Sequence, residues 1–367
     1  MLRPLMASSA ARDSFAPSGL PLHTRTLALD VFQEDPSSLR ADGTILDLRK
    51  CGFVPTGGEL QTAGFVHHMH WRACLDDPSG RITRLEFAQP VVAMERSAAT
   101  GGECCRDPAP RLQELVGSAF DAGFAKRLAT LFGGPLGCSH LLTLGQALGA
   151  FVPRVLADPA REPARRAPGE RVAKLSLLLD GFERADGVLE IAIQASEYRL
   201  APQAGVRAIL DRLGVARELR VLGEVRLRDM QLLALSAAAR ERDAATLASA
   251  SWRDLDAIVA PLAGASALRG MAGRIRACLN AQAESDERAL LSEALLNFAP
   301  GLIQCMPALS HRLGGMFARA AAPLAALPAA APNAAPGEMN SMLTSGGMAD
   351  SCYMWRTGSA ANLQRRP

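Results

Sequence analysis

The sequence predicts an α+β protein of two homologous units, each an antiparallel strand meander followed by about three helices. Three observations support this fold class. Strand-like segments separated by turn signals fill the first ninety residues. Segments with helical apolar periodicity follow, and the same order of landmarks begins again after a Pro-, Ala- and Arg-rich stretch. The length of 367 residues also exceeds what a single core usually supports.

Four strands are predicted in the first meander, at residues 23–33, 42–53, 64–76 and 81–92. Each is rich in apolar or β-branched residues that partly alternate with polar ones. We expect Asp42-Gly43 to form the turn that opens the second strand. The sequence "DDPSG" after Leu75 is typical of a turn, because proline sets one φ angle and glycine relaxes the backbone.

Three helices are predicted after the strands. Residues 108–117 form a short first helix. Asp121 caps the second helix, which the sequence "GGP" at 133–135 terminates. Ser139 caps the third helix, whose apolar face repeats with helical period, and Pro153 bends or ends it.

The same pattern recurs in the second half of the chain. Residues 115–153 align without a gap with residues 262–300, and ten of these thirty-nine positions are identical. In the strands, the sequence "ADG" at 41–43 aligns with "ADG" at 185–187, and Met69 aligns with Met230. These alignments predict an internal duplication, and hence a pseudo-dimer within one chain.

The two copies differ at candidate chemical residues. Cys138 and His140 align with Ser285 and Glu287. A site built on Cys138 and His140 therefore exists once, in the first unit, and the second unit is predicted to be a degenerate packing partner.

Composition shifts divide the chain into six segments. We predict a disordered N-terminus at 1–20, a first unit at 21–156, a linker at 157–171, a second unit at 172–310, an Ala/Pro-rich linker at 311–347 and a tail at 348–367. The tail contains cysteine, tyrosine and tryptophan again, so we expect it to dock on the first unit.

Composition also excludes several partners. Forty basic residues balance thirty-seven acidic ones without a basic stripe, which disfavours nucleic acid. No uncharged apolar stretch of eighteen residues is present, so no membrane span is predicted. The amino terminus lacks the apolar segment of a signal peptide, and the eight cysteines are expected to be reduced thiols of a cytoplasmic protein.

One group of cysteines and histidines predicts a metal site. Cys138 and His140 lie at a helix entrance, where both can face one point, and zinc or iron needs three or four such ligands. Cys105, or its neighbour Cys104, would be the third ligand and Cys352 the fourth. His68 is a reserve ligand, since strand alternation places His68 and His70 on one face and His67 on the other.

Two alternatives remain for the same residues. A cysteine at a helix amino terminus can be a stabilised thiolate, with His140 or His68 as its base. Alternatively, Cys138 only fills an apolar gap. Candidate substrate-binding side chains are Arg72, Trp71 and Trp355. The alternative is a surface role for Arg72, which the sequence favours, and core positions for the two tryptophans.

Several motifs resemble a bacterial family, domain of unknown function 2889. They are "LPLHTRTLALDVF", "H-x-M-x-W-R", "LQELVG", "GCSHLLTL" and "DSCYMWRTG", within residues 20–156 and 348–360. The resemblance implies that Cys138, His140 and Cys352 belong together, with a cysteine near Cys105. Related sequences often have histidine after the last cysteine, where this chain has Tyr353. The layout of the elements is also distantly similar to iron–sulfur scaffold proteins.

We therefore expect a cytoplasmic small-molecule enzyme, a lyase or hydrolase, that uses a metal or a thiolate at this Cys/His cluster. The alternative is a non-catalytic metal-binding or assembly protein, or a cluster that is purely structural. Homo-oligomerisation is left open.

Overall fold

The computed structural model describes residues 15–51, 54–56, 59–61, 63–204, 208–281, 285–319 and 348–363. In the first half the strands are β1 (Leu20–Asp35), β2 (Ser38–Arg49), β3 (Val54–Thr56), β4 (Glu59–Gln61), β5 (Gly64–Asp76) and β6 (Ile82–Val91). In the second half they are β7 (Glu170–Glu183), β8 (Val188–Leu200), β9 (Leu213–Arg226), β10 (Gln231–Arg242) and β11 (Arg253–Asp254).

Within these described residues, nine of the strands form one antiparallel sheet, in the order β11-β10-β9-β8-β7-β1-β2-β5-β6. Two meanders, β1-β2-β5-β6 and β7-β8-β9-β10, therefore meet along the pair formed by β1 and β7. Leu27 lies opposite Leu177 in that pair. The short strands β3 and β4 form a separate hairpin. The predicted α+β class is confirmed.

Helices cover one face of the sheet. The α-helices are α1 (Phe124–Phe132), α2 (Ser139–Leu156), α3 (Asp256–Val259), α4 (Met271–Asn280), α5 (Asp286–Leu296), α6 (Phe298–Arg319) and α7 (Ala360–Leu363), with a 3-10 helix at Ala109–Leu115. In β2, alternate residues from Leu39 to Arg49 are buried, which is the period-two pattern of a strand covered on one face. Helix α2 packs against β2 and β5, α6 against β1 and β7, and α5 against β8 and β9.

The turn predicted at Asp42-Gly43 is wrong. Gly43 lies inside β2, opposite Leu29, and the turn lies between Asp35 and Ser38. A Cβ atom on Gly43 would lie 2.9 Å from Leu144 of α2, so this glycine permits close helix–sheet packing. The local sequence does not distinguish a glycine that forms a turn from a glycine inside a strand that lets a helix approach, and for this reason the turn was predicted.

Two strand alignments of the proposed duplication are also wrong. Gly187 lies in the turn before β8 with φ +79°, whereas Gly43 is within a strand. Met230 lies just before β10 with φ +55°, whereas Met69 is buried within β5. The place of β5 in the second meander is taken by β9 rather than by the residues after Arg226.

Other predicted boundaries shift by a few residues. The N-cap of α2 is Cys138 rather than Ser139, and the helix continues past Pro153 to Leu156. Gly123 is the N-cap of α1, and Asp121 instead accepts a hydrogen bond from the Gly123 amide at 2.8 Å. The predicted linker at 157–171 contains two 3-10 turns and two buried arginines, Arg161 and Arg166.

The predicted segments at the ends of the chain lie partly outside the described residues. Residues 1–14 of the predicted disordered N-terminus and residues 320–347 of the Ala/Pro-rich linker are outside, while residues 311–319 continue helix α6. The helical stretch Asp286–Leu309 has the length and mean hydropathy (1.3) of a membrane span. It is 61% buried within the protein, as is typical of a core helix.

The C-terminal tail, residues 348–363, lies against the first meander's helices. The Tyr353 amide donates to the Gly137 carbonyl at 2.8 Å, and the Tyr353 hydroxyl lies 3.2 Å from Glu103. Arg356 pairs with Glu103 as well. Met354 and Trp355 form a small buried cluster with Met94. The tail thus closes one side of the region where α2 begins.

Candidate functional site

A cavity of about 210 Å³ lies where the first meander, the start of α2, helix α6 and the C-terminal tail meet. We call it the α2 cavity. Its walls include charged, imidazole, thiol and apolar side chains: Arg25, Arg49, Val66, His67, Met94, Cys105, Cys138, His140, Ile303, Cys352, Tyr353, Met354 and Trp355. The sheet places several of these side chains, because β1, β2 and β5 are adjacent and their inward residues share one face.

Asp47 is the centre of a polar row across these strands. Its pairing register places Arg25 of β1 on one side and His67 of β5 on the other. Arg25 donates from Nε to Asp47 Oδ1 at 2.8 Å and from a terminal nitrogen to Oδ2 at 2.9 Å. His23 Nε2 lies 2.9 Å from Oδ1. Asp47 is fully buried, so Arg25 and His23 replace water as the partners of Oδ1.

Two further histidines face the other carboxylate oxygen. His67 Nδ1 lies 3.3 Å and His140 Nε2 lies 3.1 Å from Asp47 Oδ2. The centroids of the two imidazole rings are 3.7 Å apart, and the rings are tilted by 30° relative to each other. Both nitrogens are buried, and neither has a well-directed hydrogen bond to any described residue.

These three residues form a compact group of potential metal ligands. One ligand atom each from Asp47, His67 and His140 lies within 4.8 Å of the other two, and all three residues are buried. Two imidazole nitrogens and one carboxylate oxygen are a ligand set used by catalytic zinc and by non-haem iron. The group can therefore hold a metal ion.

The protonation states suit metal binding. Burial and the neighbouring His67 lower the pKa of His140 to about 3, and burial also lowers the pKa of His67 and of His23. Burial alone would raise the pKa of Asp47, but the charge of Arg25 and the histidine contacts outweigh it and hold that pKa well below its usual range. At neutral pH the site thus combines a carboxylate with neutral imidazoles, the forms that bind metals.

Three thiols line the same cavity. Cys138 is the N-cap of α2, Cys105 follows β6, and Cys352 belongs to the tail. Burial raises the pKa of Cys138 to about 12, although the amides of Leu141 and His140 act in the opposite direction. Burial, and then the neighbouring Cys138 and Cys352, raise the pKa of Cys105 well above its usual value. The expected stabilisation of a thiolate by the helix terminus is therefore outweighed by burial in the free protein.

Of the two adjacent cysteines Cys104 and Cys105, one lines the cavity. Cys105 lines it. The Cys104 sulfur instead accepts a hydrogen bond from the Arg106 amide at 3.3 Å.

The predicted metal ligands lie close together in the structure, but most of them do not belong to the compact group Asp47, His67 and His140. Cys105, Cys138, His140 and Cys352 line one cavity. The compact ligand group among the described residues shares only His140 with this predicted set, and Asp47 and His67 complete it. Asp47 was missed because "DGTILDLRK" has the composition of an ordinary strand. The sequence does contain one indication of its position. Asp47 is two residues after the apolar Ile45, so strand alternation places both side chains on the same, buried face of β2.

His68 lies on the opposite face of β5 from the cavity, so it is neither the reserve ligand nor the base of Cys138. Its ring contacts His70, with centroids 4.3 Å apart. His67 has the same parity as the buried residues Met69 and Trp71 and faces the cavity instead.

The predicted substrate-binding residues are divided between the core, the surface and the cavity. Trp71 is 1% exposed and packs against Gly145 of α2. Arg72 is on the outer face, where its Nε donates to Asp42 at 2.8 Å. Trp355 lines the α2 cavity.

Comparison with known proteins identifies one family. Residues 23–152 match the model of a family described as protein of unknown function (DUF2889). No curated protein and no solved structure matches the chain. The matched segment contains Asp47, His67, Cys105, Cys138 and His140, whereas the second meander and the tail lie outside it. The group Asp47, His67 and His140 thus lies within the segment that matches the DUF2889 family model.

Proposed function

We propose that the protein is a metal-dependent enzyme that acts on a small molecule, with zinc or iron held by Asp47, His67 and His140. The observation that supports this most strongly is the pair of buried imidazole nitrogens that face Asp47 Oδ2 without a well-directed hydrogen bond. An unsatisfied buried polar atom costs about 1–3 kcal/mol. A metal ion would satisfy both nitrogens and the carboxylate oxygen at once.

The geometry around the ligands suits hydrolysis or elimination. Three protein ligands leave coordination positions for water or substrate, and a metal there would supply Lewis-acid chemistry. Arg25 and His23 fix the orientation of Asp47 through Oδ1, and Oδ2, which also accepts a hydrogen bond from Arg25, faces His67 and His140. Such outer partners are typical of metal-binding carboxylates. We therefore place the protein among lyases or hydrolases.

A second candidate function is thiol chemistry at Cys138. Its sulfur lies 4.0 Å from His140 Nδ1, and His140 Nε2 lies 3.1 Å from Asp47 Oδ2. Nucleophile, base and orienting carboxylate are thus arranged in sequence, as in covalent catalysis by cysteine. The raised pKa of Cys138 opposes this alternative until a bound substrate changes the environment.

We further propose that the two meanders arose by duplication and that only the first retains the site. Asp47 has Arg25 and His67 as its cross-strand neighbours, and Glu197 has Leu175 and Arg217 in the same places. All three second-unit residues come 150 positions later in the chain, and both acids are fully buried.

The second cluster is an ion network rather than a histidine site. Glu197 pairs with Arg199 at 2.7 Å and with Arg154 at 2.7 Å. In this comparison an acid stands at both positions, while Arg217 takes the place of His67 and Glu287 that of His140. We accordingly propose a cytoplasmic pseudo-dimer whose second unit has a structural role.

Metal analysis of purified variants tests the proposed function. We expect about one equivalent of zinc or iron in the wild type, and its loss in His67→Ala and His140→Ala. His68→Ala is the matched control, because His68 is the next residue of the same strand on the opposite face. Equal metal content in His67→Ala and His68→Ala, with both proteins folded by circular dichroism, would contradict the metal site.

Alkylation separates the thiol candidate from the metal candidate. If the thiol is the nucleophile, iodoacetamide modifies Cys138 and abolishes activity, while the protein contains no bound metal. If the metal is used, Cys138→Ser keeps the metal.

A further inference from the structure

We infer that the C-terminal tail is a redox-controlled cover of the α2 cavity, which a disulfide between Cys138 and Cys352 locks in place. In the reduced protein the tail opens locally and admits a ligand, and in the oxidised protein the covalent bond prevents this opening. The inference adds regulation to the cavity, and formation of the disulfide does not depend on a bound metal.

The tail forms one wall of the cavity, through residues 351–355. The Tyr353 amide donates to the Gly137 carbonyl, and the half-buried Arg356 pairs with Glu103. Met354 contributes to a small cluster that is separate from the main core. A short segment held by contacts of this kind opens locally at a lower free-energy cost than a core strand or helix. Opening of the tail therefore exposes the cavity without unfolding the sheet.

The backbone brings Cys138 and Cys352 to adjacent positions. The hydrogen bond from Tyr353 to Gly137, of 2.8 Å, joins the peptide unit after Cys352 to the peptide unit before Cys138. Both cysteines have extended backbone torsion angles, and both line the cavity. Facing residues of neighbouring antiparallel strands have Cα atoms about 4.5–5.5 Å apart, which is within the range of about 4.4–6.8 Å that a disulfide spans.

Helix capping does not explain the cysteine at position 138. Cys138 is the N-cap of α2 but makes no side-chain capping hydrogen bond. The aligned N-cap of α5 is Ser285, whose hydroxyl oxygen accepts from the Arg288 amide at 3.2 Å. Serine is among the preferred N-cap residues, whereas cysteine is not. The second unit, where the tail does not dock, thus has the better cap, and the first unit has a thiol facing the tail.

Cys105 is the third thiol in the cavity and is the less suitable partner. Its amide donates to the Met94 carbonyl at 3.2 Å, so its backbone is held within the loop after β6 rather than next to Cys352. Cys105 therefore stays a thiol when the other two are oxidised. Its reactivity then reports whether a small reagent reaches the cavity.

Thiol–disulfide exchange with a low-molecular-weight disulfide forms the bond. All eight cysteines are thiols in the structure, and Cys352 is half-buried whereas Cys138 is buried. The Cys352 sulfur attacks the external disulfide, whose S–S bond breaks and releases one thiolate. The Cys138 sulfur then attacks the Cys352 sulfur and releases the second thiolate. Two protein thiols are oxidised, one external disulfide is reduced to two thiols, and the two protein protons pass to the leaving thiolates.

Oxidation of the full chain with oxidised glutathione, followed by non-reducing peptide mapping, tests the inference. We expect one intramolecular disulfide between Cys138 and Cys352 in the wild type and in Cys105→Ser. Iodoacetamide should modify Cys105 at least about tenfold more slowly in the oxidised than in the reduced wild type, and Cys352→Ser should lose this difference. Cys74→Ser is the matched control and should behave as wild type, because Cys74 lies on the outer face of β5 and contacts Arg84.

Four results would overturn the inference. They are a disulfide that includes Cys105, a disulfide-linked dimer on a non-reducing gel, no disulfide in the folded protein, and a bond between Cys138 and Cys352 that leaves the alkylation rate of Cys105 unchanged. The same measurements on chelator-treated protein separate this inference from the metal proposal. The expected disulfide in a protein that binds no metal would support the inference while the metal proposal fails, and bound metal without the disulfide would do the opposite.

Discussion

The Asp47–Arg25 pair allows a direct test of how the polar row is held together. Asp47→Asn keeps the shape of the side chain and removes its charge. Arg25 is 2% exposed and donates two hydrogen bonds to Asp47, so its charge would remain buried with only a neutral amide opposite. Breaking one partner of a buried ion pair costs about 3–5 kcal/mol. We expect a decrease of that size in the free energy of unfolding.

The assay is urea unfolding of chelator-treated protein, so that loss of a bound metal does not contribute. Two controls accompany it. Asp42→Asn breaks the partly exposed pairs of Asp42 with Arg72 and Arg40 and should cost about 0–1 kcal/mol per pair. The double variant Arg25→Leu/Asp47→Leu removes both charges and should be less destabilised than Asp47→Asn. A loss below about 1 kcal/mol in Asp47→Asn would refute this reasoning.

Three further predictions concern pH, packing and the tail. Burial raises the pKa of Glu293 from 4.5 to about 7, so the folded state favours the protonated carboxyl. Glu293→Gln should leave the free energy of unfolding unchanged below pH 4.5 and increase it by about 3 kcal/mol at pH 8, where the wild type must bury a charged carboxylate. Urea unfolding at both pH values measures this difference. Gly43→Ala should cost about 1–3 kcal/mol by thermal unfolding, because its Cβ would contact Leu144, whereas Gly273→Ala, with open space in helix α4, should be stabilising. Trp355→Ala should speed the modification of Cys138 by iodoacetamide, since Trp355 is part of the wall of the cavity that Cys138 also lines; an unchanged rate would contradict this expectation.

Local sequence patterns predicted the sheet and helices better than the turns. The strands β1, β2, β5 and β6 follow from alternation, and α2 follows from its apolar period. Gly43 shows the limit of such patterns. A glycine that opens a turn and a glycine that admits a helix look alike in sequence, and only the position of Leu144 distinguishes them.

The sequence predicted three cysteines and one histidine that line the α2 cavity, but it did not predict two of the three residues of the compact ligand group. Cys105, Cys352 and the pair Cys138 and His140 come from three separate segments, and the family resemblance together with the helix entrance predicted that they lie in one region, where all four line one cavity. Asp47 and His67 depend on which face of the sheet the helices cover. Long-range packing decides which face is covered. The sequence shows only that Asp47 lies on the same strand face as Ile45, and His67 on the same face as Met69.

The central claim is that a metal ion binds between Asp47, His67 and His140. Anomalous diffraction from crystals of the full chain, recorded at the zinc and iron absorption edges, tests it most directly. We expect one peak about 2.0–2.2 Å from Asp47 Oδ2, His67 Nδ1 and His140 Nε2. A peak bound by Cys105, Cys138 and Cys352 instead, or no peak in crystals grown with either metal, would contradict it.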